Sequence, residues 1–113
     1  MVEVLKGPDK VLLLDKPELA KKIQDGFAEA LRPGIAGVQH EAGLYRHPWG
    51  FQLQDIVAEV HLWHGEQDDN VPVSVARYVA DAIPNCRAKF IENEGHLSLP
   101  YKYVQEYLSV LVA

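Results

Sequence analysis

The chain is poor in features that would simplify it. It has one cysteine, Cys86, so no intrachain disulfide can staple it, and it has no Cys-x-x-Cys or His-x-x-x-His spacing of the kind that marks a zinc site. Its apolar runs are short: Val11 to Leu14 is far below the about 20 residues a membrane-spanning helix needs. Glu3, Asp9 and Asp15 fall where a secretory signal would carry basic charge and a longer apolar stretch. Basic residues are in deficit, with 11 Lys and Arg against 16 Asp and Glu, so the chain lacks the basic stripe that tracks a nucleic-acid backbone. These absences lead to the expectation of a cytoplasmic protein with no nucleic-acid partner, no membrane partner and no cofactor.

What is present suits a folded domain. Of the 113 residues 48% are hydrophobic, with two Trp, five Tyr and three Phe, which is enough apolar surface to offset the entropy of ordering the chain. There is no internal repeat, linker or low-complexity tract. Residues 1 to 14 stay open, since Met1 to Leu5 alternates like a strand while Val11 to Leu14 is a run that periodicity cannot assign. Pro17 suits a first helical turn, Asp15 and Glu18 have capping-box spacing, and Leu19, Ile23, Phe27, Ala30 and Leu31 fall on one helical face. Pro33-Gly34 breaks that helix. A second one follows with Ile35, Val38, Ala42 and Tyr45 and stops near His47-Pro48. The pair is expected to be packed as a cap.

From Trp49 the pattern changes. Val57 to Trp63 is rich in β-branched and aromatic residues and reads as a strand ending near His64-Gly65. Ser74 is a candidate N-cap for a helix with Val75, Val79, Ala82 and Ile83 inward, closed by Pro84-Asn85. Ala88 to Ile91 reads as a second strand, and Pro100 opens a terminal helix with Val104, Leu108 and Leu111 inward. The expected organisation is therefore α/β: an N-terminal segment with two cap-like helices over 1–48, then a β-α-β-α unit over 49–113. Such a unit makes its strands parallel and brings both strand-end loops to one edge of the sheet.

Those two loops carry the chemistry. One runs His64-Gly65-Glu66-Gln67-Asp68-Asp69-Asn70-Val71-Pro72, the other Glu92-Asn93-Glu94-Gly95-His96-Leu97-Ser98-Leu99. Reacting groups in open α/β sheets gather outside the carboxyl ends of the strands, where Asp68 and His96 are placed to meet. A carboxylate bonded to one ring nitrogen of a histidine fixes its tautomer and favours the imidazolium formed when the other nitrogen takes a proton. The bland alternative is a loop carboxylate and an ordinary Gly-His turn. His61 and His64, three apart on a strand, point to opposite faces and make a poor two-ligand metal site. Trp49 and Trp63 read as core packing, and Cys86 as a small buried or half-buried residue.

His64-Gly65-Glu66-Gln67-Asp68 with Val71-Pro72, followed by Glu94-Gly95-His96-Leu97-Ser98-Leu99, resembles the C-terminal acid and histidine segments of the α/β-hydrolase fold. Trp49-Gly50-Phe51 and the helices before it are similar to the end of the cap region in one bacterial branch of that superfamily. The resemblance runs from about Pro17 to the end of the chain. It implies that Asp68 is the acid and His96 the general base of a Ser-His-Asp triad acting on a small-molecule ester or amide, with Asp69 a solvent-facing neighbour. The superfamily's Gly-x-Ser-x-Gly nucleophile elbow and its oxyanion-hole loop are missing, and Ser74, Ser98 and Ser109 are the only serines. The expectation is the C-terminal portion of a hydrolase, inactive alone. The alternative is a non-catalytic remnant or interaction module. In either case the edge of the first strand needs cover, from self-association, from residues 1 to 14 folded back as a strand, or from an N-terminal portion.

Overall fold

Val60–Gly65 (β1) and Cys86–Ile91 (β2) pair in parallel in the computed structural model of the chain, which describes residues 2–113. Their register sets Val60 beside Cys86 and Gly65 beside Ile91, so both strands end together. The helix Val73–Ala82 (α4) crosses between them, and Ser98–Val112 (α5) follows β2. Both strands begin differently from the sequence expectation. β1 starts at Val60 rather than Val57, which is fully outside the sheet and exposed, and β2 starts at Cys86 rather than Ala88. The observed architecture is mixed α/β: the described residues form five α-helices and a two-stranded parallel sheet, with α4 and α5 against the strands.

The two helices pack on the sheet through different residue types. Alternation gives β1 and β2 two faces: on one, Arg77 of α4 lies over the ring of Phe90, 4.2 Å from its centroid. On the other, Trp63 meets Tyr103 and Tyr107 of α5 at centroid separations of 6.2 and 6.1 Å, with Lys89 across the ring. Ala76 and Ile83 are the buried residues around α4, while Val75 is exposed. On α5 the expected inward set is wrong: Leu99 is buried and Tyr103, Tyr107 and Val110 are half-buried, but Val104, Leu108 and Leu111 face outward. The candidate N-cap Ser74 lies inside the first turn of α4 without a capping bond, and the terminal helix opens at Ser98, two residues before Pro100.

The N-terminal segment is helical, which excludes the fold-back strand. After a 3-10 turn at Val2–Val4, the helix Gly7–Asp15 (α1) places Asp9, Leu12 and Leu13 at i, i+3 and i+4 on its buried face. These leucines, with Ala76, Ile83 and Leu99, are the buried apolar side chains, and α1 touches α5 directly. Lys16 ends α1 in a non-helical conformation, as a residue before proline prefers, and Pro17–Leu31 (α2) starts anew. Its N-cap is Lys16, without a side-chain bond, so the capping-box reading of Asp15 and Glu18 fails.

α2 and the next helix, Ala36–Leu44 (α3), bury no side chain. Phe27, Leu31, Ile35, Val38 and Tyr45 are exposed, and Trp49, expected in the core, is 62% exposed against Tyr45 and Phe51. The expected packed cap is instead a helical pair with an uncovered apolar face. The Cα radius of gyration, 16.3 Å, accordingly exceeds the roughly 13 Å of a compact chain of this length. No helix among the described residues is long and apolar enough to cross a membrane.

Candidate active site

The two strand-end loops are laced together by backbone before any side chain is considered. The Glu66 amide donates to the Ile91 carbonyl at 3.0 Å and the Gln67 amide to the Glu94 carbonyl at 2.9 Å. Gly65 makes this approach possible: a Cβ there would lie 2.3 Å from the Glu94 carbonyl oxygen and 2.8 Å from that of Gly95. Asn93 turns the second loop with φ 60°, a left-handed conformation that asparagine adopts more readily than most residues.

Asp68 sits at the centre of this junction with its side chain 4% exposed. Its Oδ1 accepts the Asn70 and Val71 amides, both at 2.8 Å, an Asx-type turn that holds the carboxylate rigid. Its Oδ2 lies 2.9 Å from Nδ1 of His96 and 3.6 Å from Nε2 of His64. Burial alone pushes the Asp68 carboxyl up. The bonds from the Val71 amide, the His96 ring and the Asn70 amide, with the charge of His96, outweigh it, so the group ionises below the usual carboxylate range. An ionised carboxylate only accepts, so His96 carries its proton on Nδ1 and its Nε2 lone pair is left for another partner. Nε2 has no hydrogen-bond partner among the described residues. His64 donates from Nε2 to the Val71 carbonyl at 2.9 Å and so braces the acid loop.

The histidine loop is held from a direction the sequence did not indicate. Asp9 of α1, 6% exposed, accepts the His96 amide on Oδ2 at 2.9 Å and the Leu97 and Ser98 amides on Oδ1 at 3.0 and 2.9 Å. Gly95 leaves room for it, because a Cβ there would stand 2.5 Å from an Asp9 oxygen. Beside them Glu94 is buried, with Oε1 at 3.0 Å from Lys102 Nζ and Oε2 unpartnered among the described residues.

His96 opens on a groove of about 530 Å³ whose walls include His61, Trp63, Leu99, Tyr107 and Leu111. His61 and His64 both border it, although His61 is tied at 2.8 Å to Glu59, whose carboxyl is lowered first by that bond and then by Arg87. Asp69 is exposed, as expected of a neighbour outside the pair. No nucleophile joins them. Ser98 is fully buried with its Oγ accepting the Gly95 amide at 2.8 Å, and Ser109 donates to the Glu106 carbonyl. Ser74 lies on α4, and half-buried Cys86 is at the opposite end of β2, about 17 Å along the strand. The described residues hold no cluster of three or more His, Cys, Asp or Glu suited to a metal ion.

No family model matches the chain, and no curated protein or solved structure matches it.

Proposed function

We propose that Asp68 and His96 are the acid and general base of a hydrolase site of the α/β-hydrolase kind, whose nucleophile and oxyanion donors come from residues outside these 113. The observation that carries the reading is the Nδ1 to Oδ2 contact of 2.9 Å, which leaves Nε2 unbonded at the mouth of an apolar groove. In that arrangement a serine hydroxyl brought within about 3 Å of Nε2 would pass its proton to His96 as it attacks an ester or amide carbonyl, and Asp68 would stabilise the imidazolium. The position of the pair beyond the carboxyl ends of two parallel strands supports the same reading. So does the edge of β1 away from β2, which is where a further strand would add.

A fluorophosphonate probe read by intact mass tests the assignment of the nucleophile. The 113-residue chain is expected to remain unlabelled, since Ser98 is buried, Ser109 is bonded to the Glu106 carbonyl and Ser74 lies on α4, away from the two loops. An adduct that disappears in His96→Ala would overturn the reading and make this chain a complete enzyme.

A second reading, an interaction module that binds a copy of itself or another protein, is favoured by the outward Val104, Leu108 and Leu111 and by the uncovered face of α2 and α3. Sedimentation separates the two. A stable dimer that is disrupted by Leu108→Glu and leaves His96 inaccessible would favour the module.

A further inference from the structure

We propose that Asp9 is the positioning residue of His96, so that α1 is part of the catalytic apparatus rather than only a flank of the core. The inference rests on the reading of His96 as the base and adds to it a residue 87 positions away in the chain.

The bonding pattern argues for more than a helix cap. A cap satisfies the first free amides of a helix, and Asp9 does so for Ser98, which opens α5, and Leu97 before it. Its other oxygen is spent on His96, outside the helix, at 2.9 Å. That bond fixes the backbone from which the imidazole projects, while Asp68 holds the far side of the same residue through Nδ1 at 2.9 Å. His96 is thus clamped between two carboxylates, one on its amide and one on its ring. Both carboxylates are largely removed from water, Asp9 at 6% exposure and the Asp68 side chain at 4%, while the His96 ring they hold is 43% exposed at the groove.

The surroundings leave little slack in the clamp. Gly95 lets the carboxylate come within what would be Cβ contact, and the Gly95 amide is fixed by Ser98 Oγ at 2.8 Å. Leu12 and Leu13, one turn further along α1, are buried and anchor the helix that carries Asp9. A base whose direction must hold to about half an ångström needs such support, since small misplacements cost large factors in rate.

The test is Asp9→Asn in the full 113-residue chain labelled uniformly with ¹⁵N. The NMR signal of the His96 Nδ1 proton, identified by its loss in Asp68→Asn, is compared with hydrogen exchange at residues 96–98. In the parent protein the His96 amide is expected to be protected as the strand amides are. Asp9→Asn, which keeps the shape and removes the charge, should lower that protection at least about tenfold and broaden or abolish the Nδ1 proton signal, although Asp68 and His96 are both intact. An Asp9→Asn protein with faster exchange and lower melting temperature but an unchanged Nδ1 signal would reduce Asp9 to a cap and overturn the proposal. An unprotected His96 amide in the parent protein would overturn it without any variant. A parent ring with no signal dependent on Asp68 would instead overturn the assignment of the base, and the role of Asp9 with it.

Discussion

Gly65→Ala is expected to destabilise the protein by about 3 kcal/mol and to part Asp68 from His96 in whatever remains folded. The reason is steric and local. The new methyl would stand 2.3 Å from the Glu94 carbonyl oxygen and 2.6 Å from its carbon, both backbone atoms that cannot swing aside. Relief requires the histidine loop to move off β1, which breaks the bond from the Gln67 amide to Glu94 and carries His96 away from Asp68. Urea unfolding measures the stability, and the Nδ1 proton of His96 reports the separation. Gly37→Ala is the matching control: its Cβ would meet nothing within 4 Å, so an exposed position in the first turn of α3 gains propensity and stability is unchanged or slightly raised. Equal losses in the two variants would show that the loops are not held by this approach.

Asp68→Asn is expected to cost about 2 kcal/mol at neutral pH, the scale of buried hydrogen bonds to a charged group. An amide in this position faces a conflict. Its oxygen satisfies the Asn70 and Val71 amides only if its NH₂ turns to His96, which forces the ring proton onto Nε2 and removes the free lone pair. The pH dependence has a definite sign. The folded protein holds the Asp68 carboxyl below its ordinary range, so the stabilisation is complete above the unfolded value of about 3.9 and is lost as the pH falls through the lower folded value. The difference between parent and Asp68→Asn should therefore stay level down to about pH 5 and shrink below about pH 4. A difference that grows in acid would contradict the account of the site's electrostatics.

Much of the β-α-β-α unit was legible because its signals are local. The β-branched and aromatic residues of Val57 to Trp63, the polar stretches after each strand, and Pro84-Asn85 mark elements without reference to partners, and the loops they define contain Asp68 and His96. Burial was less legible. The spacing of Phe27 and Leu31, or of Val104 and Leu108, specifies a helical face but not whether anything covers it, and among the described residues these side chains are exposed. The caps failed for a related reason. A Ser or Asp at the right spacing caps only if the backbone there leaves the helix at the right residue, and α4 begins at Val73 while Lys16 separates α1 from α2. Asp9 was beyond sequence reasoning, because its three bonds go to amides on the far side of the chain. The one available signal was the i, i+3, i+4 set of Asp9, Leu12 and Leu13, which puts a carboxylate on a buried face and so demands a partner.

The central claim is that His96, oriented by Asp68, is a working base, and the hydrolysis of p-nitrophenyl acetate by the purified chain tests it most directly. The chain alone is expected to be inactive on ordinary esters and amides, which need the serine and oxyanion donors, but an activated ester needs neither: a free imidazole nitrogen attacks it and expels p-nitrophenolate, or draws a proton from attacking water. Hydrolysis above buffer is expected, falling at least about tenfold in both His96→Ala and Asp68→Asn and persisting in His40→Ala and His47→Ala, on or just beyond α3. A rate indifferent to His96→Ala would contradict it, and the two loops would then hold a carboxylate and an imidazole in contact without chemistry between them.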